Sequence, residues 1–101
     1  MAAWVPVCQI EELPAGRGRT CEAAGLRIAV FPLGESIVAL LDRCPHEGGS
    51  LGCGWVEEDE VVCPLHRWRF KLQDGRCTTM RGSGVHRFPT EVREGRVWVL
   101  V

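Results

Sequence analysis

Two short boxes of metal-binding residues constrain this chain more than any other feature: Cys44-Pro45-His46 and Cys63-Pro64-Leu65-His66. The first is a C-x-H, the second a C-x-x-H, and sixteen residues separate His46 from Cys63. Each box offers one soft thiolate and one imidazole from a loop stiffened by proline. Gly48, Gly49, Gly52 and Gly54 follow the first box, which suits a loop whose backbone must come close to a bound group. A metal centre held by two Cys and two His is the chemistry that needs this set. A structural zinc takes such ligands too, but zinc fingers pair C-x(2–4)-C with H-x(3–5)-H, whereas here each box mixes the two residue types.

The stretch 44–70, CPHEGGSLGCGWVEEDEVVCPLHRWRF, resembles the cluster-binding region of the Rieske 2Fe–2S ferredoxin family. The family pattern is C-x-H, about 15 to 17 residues, then C-x-x-H, with two His replacing two Cys on one of the two irons. The resemblance extends to CPLHRWRFKLQDG at 63–75 and to the closing segment with Phe88-Pro89, Val92, Gly95 and 97–99. It implies one 2Fe–2S cluster per chain, with Cys44 and Cys63 on the inner iron and His46 and His66 on the outer one. It also implies an antiparallel β sandwich or barrel base, into which a smaller cluster-binding subdomain, about 43–70, is inserted.

The rest of the chain agrees with that fold class. With 101 residues it reads as one domain, 1–101. At this size the core is modest, and a bound metal centre adds stability. The net charge of −1, without a basic face, argues against nucleic acid. No apolar run approaches the roughly 20 residues needed to span a bilayer. The N-terminus carries acids early and does not read as a signal peptide. Of the six cysteines, two are assigned as ligands and the other four as free thiols in a reducing cytoplasm.

Along the sequence, short strands are expected at 4–7 (an edge strand broken by Pro6), 19–23 and 26–31 (a hairpin through Ala24-Gly25), and 36–41, buried on both faces. One helical turn is expected at 10–14, and turns at 16–18 and 32–35. A hairpin across Glu58-Asp59 carries the second box back beside the first. A strand at 68–72 turns at Asp74-Gly75 into a return strand at 76–79. A loop at 81–84 and strands at 85–88, 91–93 and 96–101 close an all-β domain.

Residues beside the boxes bear on function. High-potential Rieske proteins carry a bracing disulfide where this chain has Gly49 and Leu65, and hydroxyl donors to sulfur where it has Trp68 and Phe70. The resemblance therefore implies the low end of the Rieske range, near about −150 mV rather than +300 mV. Cys8, Cys21, Cys53 and Cys77 are expected in the core, His86 on a strand or the surface, and the acidic run 57–60 as a solvated turn, with a docking face as the sharper reading. Three functions remain open. The first is a one-electron carrier between a flavin-containing reductase and a terminal oxygenase. The second is the small subunit of an assimilatory nitrite reductase, fixed to a large subunit. The third is a non-redox zinc module for protein binding. All three make the chain a component rather than a stand-alone catalyst.

Overall fold

The two most apolar stretches form the middle of the molecule. Leu26–Leu33 (β3) and Ser36–Leu41 (β4) pair antiparallel across a turn at Gly34, where φ is +60°. The computed structural model describes residues 2–45 and 48–101. Arg19–Ala23 (β2) adds to β3 through Ala24 and Gly25, both at positive φ, and Arg87–Phe88 (β8) adds to β4. The result is a four-stranded sheet in the order β2-β3-β4-β8. Two consecutive residues at positive φ are what a tight hairpin matched to strand twist requires.

A second sheet has the order β1-β10-β9, built from Trp4–Gln9 (β1), Thr90–Arg93 (β9) and Arg96–Leu100 (β10). Pro6 leaves the edge strand β1 intact; the irregularity is a bulge between Pro6 and Cys8. A single 3-10 turn, Ile10–Glu12, follows β1, with Gln9 N–H donating to Glu12 Oε1 at 2.7 Å. Thr90 Oγ1 donates to Ile37 O at 2.7 Å and ties this sheet to the first.

The third sheet holds the region around the second box: Trp55–Glu57 (β5), Glu60–Val62 (β6) and Arg69–Lys71 (β7), in that order. Glu58, at φ +59°, makes the tight turn between β5 and β6. Two sequence expectations fail nearby. The return strand at 76–79 is reduced to two isolated bridges, Phe70 with Cys77 and Arg76 with Gly84. The reason lies at Gly75, where a Cβ would sit 2.1 Å from Val85 O. The turn is pressed against the following segment, and Val85 N–H donates to Gly75 O at 2.9 Å. The strand expected at 85–88 shortens accordingly to β8. At the other turn, β3 continues through Pro32, opposite Ile37, so the turn expected at 32–35 is confined to its second half.

Candidate metal centre

Asp42 fixes the first box. It stands at the end of β4, 1% exposed, and is the buried charged side chain among the described residues. Thr20 Oγ1 donates to its Oδ2 at 2.6 Å, Ser50 Oγ at 3.0 Å and Gly52 N–H to its Oδ1 at 2.9 Å, while Arg27 Nη2 lies 3.8 Å away. One carboxylate thus holds both ends of the loop that carries Cys44. Buried polar groups need such partners, and a charged acceptor makes the bonds stronger. Gly52 must be glycine, because a Cβ there would lie 2.0 Å from Thr20 Oγ1.

The cysteine of each box is tied into its own loop by two backbone bonds. Cys44 N–H donates to Gly49 O and Gly48 N–H to Cys44 O, both at 2.8 Å. Cys63 N–H donates to Trp68 O at 2.8 Å and Arg67 N–H to Cys63 O at 2.9 Å. Arg67 closes the second loop at φ +60°, a conformation that favours glycine.

The two loops touch. A Cβ on Gly49 would lie 2.9 Å from Cys63 Sγ and 3.2 Å from Leu65 Cβ. Cys44 and Cys63 are 2% and 0% exposed and share a core with Leu51, Phe70, Leu72 and Cys77, against which Trp68 packs. His66 is exposed, and Leu65, at 49%, stands out beside it. His46 and Glu47 lie outside the described residues. Among the described residues, no three Cys, His, Asp or Glu side chains converge on one point.

The chain matches the family model of the Rieske [2Fe-2S] domain over residues 3–89. The chain belongs to this family. Its cofactor is a Rieske-type 2Fe–2S cluster, and the donor set fits: two buried thiols against the core and an imidazole at the surface, on loops in contact. The chain is 33% identical over 97 residues to the 3-phenylpropionate/cinnamic acid dioxygenase ferredoxin subunit of Photorhabdus laumondii, covering 94% of this chain and 91% of that one. It is 30% identical over 105 residues to cholesterol 7-desaturase of Drosophila melanogaster, but spans only 24% of that protein. Among solved structures it resembles one described as the small subunit of an NADH-dependent nitrite reductase from Mycobacterium tuberculosis. The TM-score is 0.90 at 28% identity, covering all of this chain and 96% of that one.

The Rieske centre has neighbours that sequence reasoning placed well and others that it did not. Phe70 is fully buried beneath the second loop and His86 is exposed, stacked edge-on against Phe88. Cys8, Cys21 and Cys77 are buried as expected. Cys53 is not: it is exposed, because Leu51 takes the core position of the 3-10 turn Leu51–Cys53 and Gly52 packs on Thr20. The acidic hairpin is bonded within its own sheet. Trp55 Nε1–H donates to Glu57 at 2.6 Å, Arg69 bridges Glu57 and Glu60 at 2.5 and 3.2 Å, and Lys71 pairs with Asp59 at 3.1 Å. The Trp55 hydrogen bond and then the Arg69 guanidinium hold the Glu57 carboxyl below its ordinary 4.5. Asp42 lies just past the strand expected at 36–41, and sequence reasoning gave it no role. The available signal was a carboxylate directly after an apolar strand, with Thr20, Ser50 and a glycine-rich loop to receive it.

Proposed function

We propose that this chain is a one-electron carrier in which Cys44 and Cys63 hold the inner iron, and His46 and His66 the outer iron, of the 2Fe–2S cluster. The observation that carries this reading is the contrast in burial: both thiols are sealed into the core while His66 stands at the surface. The separate three-stranded sheet supports treating about 43–70 as a cluster-binding subdomain inserted into a single domain, 1–101.

When bound, the cluster supplies a one-electron couple. The chain's own residues set the conditions for it. Cys44 and Cys63 present their sulfurs from loops whose backbones are already hydrogen-bonded. Leu51, Phe70 and Trp68 exclude water from the inner side. The positions beside the second box, Trp68 and Phe70, carry no hydroxyl, and the Thr20 and Ser50 hydroxyls donate to Asp42. Because neither Trp68 nor Phe70 can supply a hydroxyl donor, the reduced state is less stabilised, which supports a potential toward about −150 mV.

The exposed edge of Pro64, Leu65, His66 and Arg67 is the docking face in this reading. The donor would be a flavin-containing reductase and the acceptor a terminal oxygenase; the ferredoxin subunit of the Photorhabdus dioxygenase, with its matching length, supports this. A second reading, the fixed small subunit of a nitrite reductase, is supported by the TM-score of 0.90. Cytoplasmic placement is part of the proposal and is supported by Cys8, Cys21, Cys53 and Cys77, none of them disulfide-bonded.

Stopped-flow reduction by a candidate partner at two ionic strengths tests the docking face. Arg67→Glu should slow reduction at low salt, lose that effect at high salt and leave iron content unchanged. Equal rates for Arg67→Glu and wild type at low salt would place the docking face elsewhere. Co-purification with a large subunit would favour the second reading over a free carrier.

A further inference from the structure

The β1-β10-β9 sheet has two outer strands, and they differ. β1 is blunted by Pro6, which has no N–H to give, and by the bulge between Pro6 and Cys8. Other sheet margins are covered by the chain itself. Val56 N–H on β5 donates to Gly16 O at 2.9 Å, and Thr78 N–H donates to Arg69 O on β7 at 2.8 Å. β9 has no proline and no bulge, and among the described residues no strand pairs with its far side. Leu100 N–H donates to Pro89 O at 3.0 Å, and ladder bonds fall on alternate residues of an antiparallel pair. Glu91 and Arg93 therefore commit their backbone groups to β10, while Val92 turns its N–H and C=O outward. The Val92 side chain, opposite Val97, is still 44% exposed.

The charges along this edge are self-complementary. Glu91 and Arg93 flank Val92 and share the opposite face of the sheet. Arg93 Nη2 donates to Glu91 Oε2 at 3.1 Å, and both side chains remain nearly half exposed. The Arg93 guanidinium carbon lies 4.8 Å from the Trp98 ring centre and 5.6 Å from that of Trp4. These contacts hold the cation on the sheet face before any partner arrives.

We propose that β9 pairs antiparallel with β9 of a second copy of this chain, centred on Val92, to make a weak symmetric dimer. In that register the two Val92 residues exchange both backbone bonds. Glu91 of each copy falls opposite Arg93 of the other, at the close positions of the ladder, where opposite charges attract and like charges repel. The exposed Val92 side chains meet on the other face. A second copy fits this edge because it brings the matching charges in the matching order. Two three-stranded sheets become one of six strands, and the sheet that joins them carries neither ligand box. A contact of this size is small, so the dimer dissociates on dilution.

Sedimentation equilibrium of the cluster-loaded protein, from micromolar to millimolar concentration, tests the pairing. The wild type should pass from monomer to dimer as concentration rises, and salt should weaken the dimer. The Val92 amide should gain protection from hydrogen exchange over the same range. Glu91→Arg sets like charges opposite each other and should be monomeric, and so should Arg93→Glu. Mixed together, these two variants should form a heterodimer, since each supplies at both positions the charge that the other lacks. A wild type that stays monomeric, a dimer that survives Glu91→Arg, or a mixture that stays monomeric would overturn the inference. Circular dichroism checks that each variant keeps its strands, and the exchange readout on the wild type does not depend on the variants folding.

Discussion

β3 and β4 separate two cores of different character. Ile28, Val30, Ile37 and Ala39 face one side, with Phe88, Val97 and Val99. Ala29, Phe31, Val38 and Leu40 face the other, with Leu51, Phe70, Cys44 and Cys63. Strict alternation along the two central strands makes them a shared wall. The base core is closed by the β1-β10-β9 sheet, whose strands pair along five and four residue pairs with one bulge in β1. The core on the metal side is closed by two loops and a sheet of three-residue strands. Strands that short contribute little by themselves. The comparison predicts that the metal side depends on its cofactor to be a stable folded unit, while the base does not.

The sharpest way to separate the two regions is to remove a ligand. Cys63→Ser should abolish the cluster entirely, since cofactor binding free energy is folding free energy here. Hydrogen exchange should then show residues 51–72 losing protection, while amides of Ile28 and Val97 keep theirs. Uniform loss of protection would mean that the base depends on the cluster as well.

Next in size come two apolar truncations, one on each side of the wall. Phe70→Ala should cost about 3–5 kcal/mol and lower iron content, because the ring lies directly under the second loop. Val97→Ala should cost only about 2 kcal/mol and leave iron content unchanged. Thermal melts and iron assays on both proteins would check this; equal iron loss in the two would erase the distinction.

Asp42→Ala removes the acceptor that joins β2 and the end of β4 to the first loop. It leaves the buried Gly52 N–H and two hydroxyls without their partner, at a cost of about 3 kcal/mol. The expected phenotype is a faster loss of cluster absorption on dilution into chelator, with strand content intact by circular dichroism.

The smallest effect belongs to the exposed acidic hairpin. The Glu57 carboxyl lies below its ordinary value in the folded state. Its contribution to stability is therefore present above the unfolded value and is lost as pH falls through the folded one. Glu57→Gln should slightly flatten the acid limb of the stability profile below pH ~4.5 and leave it unchanged at neutral pH. Screening by solvent keeps the difference small.

Features written in local chemistry were legible in the sequence. Ala24-Gly25 and Glu94-Gly95 announce tight hairpins, and both pairs sit at positive φ. The apolar run at 36–41 announces a strand buried on both faces, and it lies between β3 and β8. The ligand boxes announce a metal centre by residue type and spacing. Features set by tertiary contact were not legible. The 76–79 strand fails because Val85 presses on Gly75, a contact across a turn that neither segment announces in its own sequence. The inward turn of Cys8 depends on a bulge that has no composition signal in WVPVCQ. Cys53 reads as a small core residue until Leu51 is seen to occupy that place. Arg67 closes the second loop at a φ of +60°, a conformation that favours glycine and that nothing in the local sequence announces.

The central claim is the mixed ligand set, two buried sulfurs inward and two imidazoles outward. Pulsed EPR on the reduced protein, grown with ¹⁵N-histidine, measures it most directly. The chain has three histidines, His46, His66 and His86. The account predicts couplings from two directly bound nitrogens, unchanged in His86→Gln and reduced to one nitrogen or lost with the cluster in His66→Gln. A spectrum without strong nitrogen couplings, or one that changes in His86→Gln and not in His66→Gln, would contradict it.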